Sequence, residues 1–214
     1  MIKVVLFDID GVLIRIQKYF SRVLEDRGYK KAPEELDKYY GSDHACTTGN
    51  ADPLIEVQNY LLGFGWEKSA KEYFDEQFMY EKQYLDIDML ENIRNLRRMN
   101  IPCFLATDQN HYRKSFLLNH LGLKKEFDGW FVSADLGYRK IENGFWESAI
   151  SRLVQNSIVR NGEDIMFIDD RKANIDKAYE YGINGFLAID DKAIKQIYEI
   201  LEDIASRKMS RRNT

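Results

Sequence analysis

Short apolar runs alternate with amphipathic stretches along most of the chain. Five runs have the length and composition of buried β-strands, and they cover residues 2–7, 103–106, 130–132, 165–168 and 186–189. Between them, apolar side chains recur at helical spacing over residues 88–99, 111–121, 145–154 and 173–181. Strands that alternate with helices predict an α/β fold, a doubly wound parallel sheet of the Rossmann-like type.

Residues 16–85 break this alternation. Helical patterns cover residues 18–27, 33–40, 53–63 and 67–84, and no convincing strand lies among them. We therefore predict an all-helical cap domain over 16–85, inserted after the first strand of a catalytic core formed by 1–15 and 86–214. Residues 207–214 are basic and are expected to form a frayed tail.

Composition narrows the function classes. The chain has 214 residues and a formal net charge of -4, which provides no broad electropositive face for nucleic acid. Two cysteines are too few for a disulfide framework, and they favour a reducing, cytoplasmic location. The N-terminal apolar run is broken at Asp8 and no run is long enough to span a bilayer, so neither a secretory signal nor a membrane partner is expected.

Polar side chains follow several of the predicted strands directly. Asp8 and Asp10 follow the first strand, Thr107 the second, and Asp169 and Asp170 the fourth. An isolated Asp-x-Asp is more often a turn former than a site. Because the carboxyl ends of parallel strands share one edge of a sheet, however, these side chains are expected to face one cleft, which indicates a metal-binding site that handles phosphate.

Electrostatics indicate that such a site needs a cation. A carboxylate at about 4 Å from a phosphate dianion opposes two like charges, at about 4 kcal/mol each for an effective dielectric of about 20. Magnesium binds carboxylate and phosphate oxygens and would offset this repulsion. Mg²⁺ is therefore the expected cofactor.

Four motifs in order resemble those of the haloacid dehalogenase superfamily, of the phosphatase type with a small helical cap. The first motif is Phe7-Asp8-Ile9-Asp10-Gly11 and the second is Leu105-Ala106-Thr107. The third is Lys140, and the fourth is Phe167-Ile168-Asp169-Asp170 with Asn174 and Gly182. The resemblance spans nearly the whole chain.

The resemblance implies a role for each matched position. Asp8 would be the nucleophile that forms an aspartyl-phosphate, and Asp10 the general acid and then the general base. Thr107, with Asp108 beside it, and Lys140 would hold the phosphoryl oxygens. Mg²⁺ would lie between the carboxylates of Asp8 and Asp170 and the backbone carbonyl of Asp10, with Asp169 acting through water. An acid at position 10 also favours a phosphate ester over a halide as the leaving group.

Three further positions carry weaker predictions. Lys140 is followed by Ile141, where the family usually has proline, so the adjacent Arg139 is an alternative phosphate ligand. His44 and Arg139 are candidate substrate-specificity residues. The polar run of residues 41–50 around His44 either reaches over the cleft or is an ordinary connection between helices.

The sequence thus predicts a cytoplasmic, Mg²⁺-dependent phosphohydrolase of a small phosphorylated metabolite, with a sugar phosphate as the best guess by analogy with superfamily members that have a similar cap. A phosphomutase would share every motif, and a non-catalytic regulatory protein would keep the fold alone. The expected partner is a small molecule, with no nucleic acid or membrane, and the expected assembly is a monomer or a homodimer.

Overall fold

The computed structural model describes residues 2–210 and contains one five-stranded parallel sheet. The strand order is β3-β2-β1-β4-β5. The strands are β1 (Val4–Phe7), β2 (Cys103–Thr107), β3 (Gly129–Val132), β4 (Ile165–Asp169) and β5 (Asn184–Leu187). All four pairings are parallel, so the predicted α/β sheet is confirmed.

The centre of the sheet explains the position of the acidic motifs. All of β1 and β4 is buried, as expected for strands covered on both faces. Phe7 is in register with Ile168 of β4 and with Leu105 of β2. The next residues along the chain, Asp8 and Asp169, therefore emerge side by side. Because β1 leads to β2 on one side and the chain later returns from β3 to β4 on the other, these residues emerge where such sheets form a crevice.

Helices cover both faces of the sheet. On one face, α7 (Ile87–Arg98) and α12 (Asp191–Ser210) share a core with β1. On the other face lie α10 (Asn143–Gln155) and α11 (Lys172–Tyr179), whose apolar side chains pack on Val4 and Leu6. The connections also contain α8 (His111–Ser115) and α9 (Ser133–Leu136).

The segment between β1 and α7 is helical. Its helices are α1 (Phe20–Asp26), α2 (Ala32–Ser42), α3 (His44–Thr47), α4 (Pro53–Glu56), α5 (Gln58–Gly63) and α6 (Ala70–Glu81). All of these helices except α3 contribute to a separate, aromatic-rich core that also includes Phe116 from the chain after α8. The boundaries of the predicted cap domain stay a prediction.

Several predicted helices begin or end elsewhere. Ser69 caps α6 in a reciprocal pair with Glu72, so this helix starts at Ala70 instead of 67. The single helix expected over 53–63 is two, α4 and α5, with Val57 between them. The helix that starts at His111 changes to a π-helical turn at Phe116–His120.

The C-terminal prediction was wrong for residues 207–210, which continue α12 instead of fraying. Ile194, Ile197 and Leu201 recur at helical spacing and are buried against α7, which holds the helix in place. Residues 211–214 of the expected tail lie outside the described part of the chain.

None of the helices in residues 2–210 combines the length and the apolar character that crossing a membrane requires.

We expect Leu201→Ala to destabilise the protein by about 2–5 kcal/mol, because it removes a buried side chain at the α7–α12 contact. Lys195→Ala, on the exposed face of the same helix, should change the free energy of unfolding by less than about 0.5 kcal/mol. Urea unfolding followed by circular dichroism measures both. Equal, small effects would mean that α12 is not part of the core.

Candidate active site

The carboxyl edge of the sheet brings together the polar residues of all four motifs. Asp8 follows β1, and Thr107 is the last residue of β2. Asp169 is the last residue of β4, and Asp170 follows it. Lys140 reaches this edge from the connection between α9 and α10. The prediction that these residues share one edge therefore agrees with their placement.

The Lys140 side chain is buried between two carboxylates. Its Nζ lies 2.7 Å from Asp8 Oδ2 and 2.6 Å from Asp169 Oδ2. Burial alone would lower the pKa of Lys140, but the two carboxylates raise it above its usual range, so the ammonium stays charged. Its main chain is also held, since its N–H donates to Asp108 at 2.9 Å and its carbonyl accepts from Trp146 at 2.7 Å.

Asp169 is surrounded by hydrogen-bond donors. Besides Lys140, the side-chain amide of Asn174 lies 3.1 Å from both of its oxygens, and the Arg171 N–H donates to Oδ1 at 2.7 Å. The side chain is fully buried. A carboxylate with this many partners is well suited to orient its neighbours.

Three carboxylates could hold a metal ion. Asp8, Asp169 and Asp170 offer oxygens within 4.8 Å of one another, and no other group of this kind occurs in residues 2–210. Burial raises the pKa of Asp8 well above its usual range, despite the opposing effect of Lys140. Burial, followed by the charge of Asp169, likewise raises the pKa of Asp170. A hard divalent cation would offset this accumulated negative charge, so the donor set fits Mg²⁺.

Gly11 allows Asp170 to approach the loop after β1. Its φ is +78°, a left-handed conformation that glycine adopts without cost. A Cβ at this position would collide with the Asp170 carboxylate. The glycine of the first motif thus serves the spacing of the candidate metal site as well as the turn.

The Asp10 side chain contacts Gln109 and Arg113 and is not part of this group of three carboxylates. Its Oδ2 accepts a hydrogen bond from Gln109 Nε2 at 2.7 Å, and its Oδ1 lies 3.2 Å from a terminal nitrogen of Arg113. The side chain is 50% exposed to the cleft. A metal contact from Asp10 would therefore come from its backbone carbonyl, and this contact stays a prediction.

Thr107 and Asp108 line the cleft beside Asp8. The Asp108 carboxylate accepts the Lys140 N–H and lies 3.6 Å from Arg139 Nε. Because this carboxylate is negatively charged, a contact between Asp108 and phosphate would have to come from its main-chain N–H.

Of the two specificity candidates, Arg139 lines the cleft and His44 does not. Arg139 lines the cleft and lies beside the Asp108 carboxylate, whereas Lys140 contacts Asp8. The His44 side chain is 61% exposed, lies 3.7 Å from Glu142, and is not among the residues that line the cleft. Its neighbours Asp43 and Thr47 do line it, so part of the run 41–50 reaches the cleft.

The cleft has a volume of about 1140 Å³ and includes residues that the motif reasoning missed. Tyr40 and Gln77 enter it from the helical segment, together with Glu81, while Gln109 and Arg113 enter from the sheet side. Gln109 lies two residues after Thr107 and could have been suspected from that proximity. Nothing in the local sequence marks Glu81 or Arg113, because their partners are distant along the chain.

A model of the haloacid dehalogenase-like hydrolase family matches residues 2–178. No match to the chain was found among curated proteins.

Solved structures with the same fold cover nearly the whole chain. A haloacid dehalogenase-like hydrolase from Porphyromonas gingivalis is 20% identical, with a TM-score of 0.69 over 92% of this chain and 98% of its own. An enzyme of the family from Bacteroides thetaiotaomicron, in complex with magnesium and inorganic phosphate, is 18% identical, with a TM-score of 0.66 over 89% and 97%. A phosphatase from Thermococcus onnurineus is 17% identical, with a TM-score of 0.62 over 87% and 86%. At these identities the likeness establishes the fold.

We expect Gly11→Ala to weaken Mg²⁺ binding by about 10- to 100-fold, because the added methyl group displaces Asp170. Gly122→Ala is the matched control, since Gly122 has nearly the same φ of +81° but nothing within 4 Å of the added carbon. Calorimetric titration with Mg²⁺ measures both variants. Equal affinities in the two would contradict the role assigned to Gly11.

We expect Lys140→Met to destabilise the protein by about 3–5 kcal/mol near neutral pH, because Asp8 and Asp169 then face each other without a cation. Without the cation, the pKa values of these two carboxyl groups would rise in the folded variant. The destabilisation should therefore shrink as the pH falls and the two groups bind protons. Arg139→Met, which removes a partly exposed side chain, should cost less than about 1 kcal/mol. Denaturant unfolding at several pH values measures this, and a pH-independent loss would refute the explanation.

Proposed function

The chain belongs to the haloacid dehalogenase-like hydrolases, and within that family we propose that it is a Mg²⁺-dependent phosphohydrolase of a small phosphorylated metabolite. One observation carries the proposal: the only described cluster of three carboxylates contains Asp8, is neutralised in part by Lys140, and opens on the cleft that Asp10 also lines. A nucleophile, a fixed cation and a second carboxylate are the groups that phosphoryl transfer to an aspartate requires.

In the first step, an Asp8 oxygen attacks phosphorus and the ester P–O bond breaks. Lys140 lies against Asp8 and would hold both the nucleophile and a phosphoryl oxygen in place. Thr107 Oγ1 and the main-chain N–H of Asp108 are the further phosphate ligands in this proposal. These groups act by position and charge, which is where most catalysis of phosphoryl transfer originates.

Asp10 transfers the protons. It gives its proton to the leaving alkoxide as the ester bond breaks, and the product alcohol departs. It then takes a proton from water as the water oxygen attacks phosphorus and the bond to Asp8 breaks. Inorganic phosphate is released, Asp8 is again a free carboxylate, and Asp10 is protonated for the next turnover.

The carboxylates of Asp8 and Asp170 and the backbone carbonyl of Asp10 would hold Mg²⁺, with Asp169 acting through water. When bound, the ion stabilises negative charge on the phosphoryl oxygens. The donor chemistry of the cluster supports this choice, and the Bacteroides thetaiotaomicron enzyme with the same fold was crystallised with magnesium and inorganic phosphate.

The substrate in this proposal is a small polar ester, with a sugar phosphate as the first candidate. Residues 16–85 act as the cap domain and supply hydrogen-bonding side chains to the cleft, among them Asp37, Tyr40 and Gln77. A cleft of about 1140 Å³ accommodates a metabolite together with water. Arg139 and the segment around His44 are the candidate selectors, and two buried free cysteines favour the cytoplasm.

Phosphate release from a panel of sugar phosphates, nucleotides and phosphoglycolate tests the proposal. We expect release that needs Mg²⁺, is abolished by chelator, and falls at least about 10³-fold in Asp8→Asn, because that variant lacks the nucleophile. Asp203→Asn, an exposed acid on α12, is the matched control and should retain wild-type activity.

Release that survives Asp8→Asn would overturn the aspartyl-phosphate mechanism. Turnover that requires a sugar bisphosphate activator and yields an isomeric ester instead of phosphate would identify a phosphomutase. The absence of release from every ester would leave a binding role.

A further inference from the structure

A buried arginine joins the helical segment to Asp10. Arg113, on α8, forms an ion pair with Glu81, the last residue of α6, and a second ion pair with Asp10. The side chains of Arg113 and Glu81 are only 6% and 5% exposed. An arginine buried on this scale needs partners for its donors, and here they come from two separate parts of the chain.

The packing around Arg113 restricts its orientation. Its guanidinium lies 4.7 Å from the centre of the Phe78 ring, and the Asn110 side chain accepts the Arg113 N–H at 2.9 Å at the start of α8. Tyr112 and Phe116 flank it in sequence and pack against aromatic rings of α6. The α6–α8 seam therefore fixes the direction of the guanidinium.

Glu81 is fixed from the other side. Gln77 Nε2 donates to Glu81 Oε1 at 2.7 Å, and the Tyr40 hydroxyl donates to Gln77 Oε1 at 2.7 Å. A continuous chain of hydrogen bonds thus runs from α2 through α6 and Arg113 to Asp10.

The two oxygens of Asp10 have different neighbours. Arg113 holds Oδ1, on the side of α6. Gln109 donates to Oδ2, and the same amide nitrogen lies 3.4 Å from Thr107 Oγ1. Oδ2 therefore faces the residues assigned to phosphate, where a leaving-group oxygen would be.

We propose that Arg113 is a positioning residue for the proton transfers of Asp10 and that Glu81 fixes Arg113 for this purpose. The inference rests on the proposed function, in which Asp10 is the acid. By anchoring Oδ1, the Arg113–Glu81 pair aims Oδ2 at the leaving group. The helical segment thus contributes to the chemical step as well as to the shape of the cleft.

The test compares two esters of similar shape, phenyl phosphate and 4-nitrophenyl phosphate. Phenolate is the more basic leaving group, with a conjugate acid of pKa about 10 like that of tyrosine, and so depends more on a proton from Asp10. The value of kcat/KM reports the steps up to departure of the leaving group. We expect Arg113→Met to lower kcat/KM by about 10- to 100-fold for phenyl phosphate and by less than about 3-fold for 4-nitrophenyl phosphate.

Two conservative variants separate positioning from folding. Arg113→Lys keeps the charge beside Glu81 but loses the planar guanidinium that bridges two carboxylates. This variant should therefore unfold at nearly the wild-type denaturant concentration, yet it should still lose more kcat/KM for phenyl phosphate than for 4-nitrophenyl phosphate. Glu81→Gln should show the same effect in weaker form. If Arg113→Met does not fold, Arg113→Met/Glu81→Met replaces the buried pair with apolar side chains and takes its place in the comparison.

Matched controls come from the same helices. Lys114→Met removes the neighbouring cation of α8, which pairs with Asp135, and Glu76→Gln removes an acid of α6 that pairs with Arg27 and Lys68. Both should leave the ratio of the two kcat/KM values unchanged.

Asp10→Asn, measured in the same series, distinguishes the possible failures. The inference is supported if Asp10→Asn and the Arg113 variants all lose more kcat/KM for phenyl phosphate than for 4-nitrophenyl phosphate, which is the leaving-group effect. An effect in Asp10→Asn alone, with equal losses for both esters in the Arg113 variants, overturns the inference and leaves the proposed function intact. No effect in Asp10→Asn itself would remove the acid role of Asp10, and the inference would fall with it.

Discussion

One buried ammonium group governs the edge of the sheet. Lys140 lies between Asp8 and Asp169, at 2.7 and 2.6 Å, and all three side chains are buried, so bulk solvent screens their charges only weakly. Removing any one of them from water carries a large free-energy cost, and only their mutual attraction and the surrounding hydrogen bonds offset it. The connection that carries Lys140 is anchored accordingly, by Asp108 at its N–H and by the Trp146 indole at its carbonyl.

The same constraint leaves the cluster with an excess of negative charge. Two negative charges flank one positive charge, and Asp170 adds a third carboxylate that forms no ion pair in residues 2–210. The excess negative charge favours binding of a further cation, and Gly11 keeps space for Asp170 beside it. The Asn174 side chain and the Arg171 N–H hold Asp169 in one orientation.

A second buried charge system lies about Arg113, in a different part of the fold. The first system is confined to the connections at the sheet edge, whereas the second spans the seam between α6 and α8. Aromatic packing of Phe78 with Tyr112 and Phe116 lines the seam, and the Arg113–Glu81 ion pair is buried there. Any shift of α6 against the sheet would therefore move a partner of Asp10, which links the placement of the helices to the chemistry of the cleft.

The sequence alone determined the sheet and the polar residues at its carboxyl edge, because unbroken apolar runs such as 165–168 mark buried strands and polar residues directly after them must emerge at that edge. Local signals served less well at boundaries, where a cap such as Ser69 or packing such as that of Leu201 decides where a helix begins or ends. The ion-pair partner of Asp10 was beyond the reach of any motif. Arg113 lies 103 positions from Asp10 along the chain and 32 positions from its other partner, Glu81, and only tertiary packing could bring the three together, since burial of an arginine is decided by the elements that close around it.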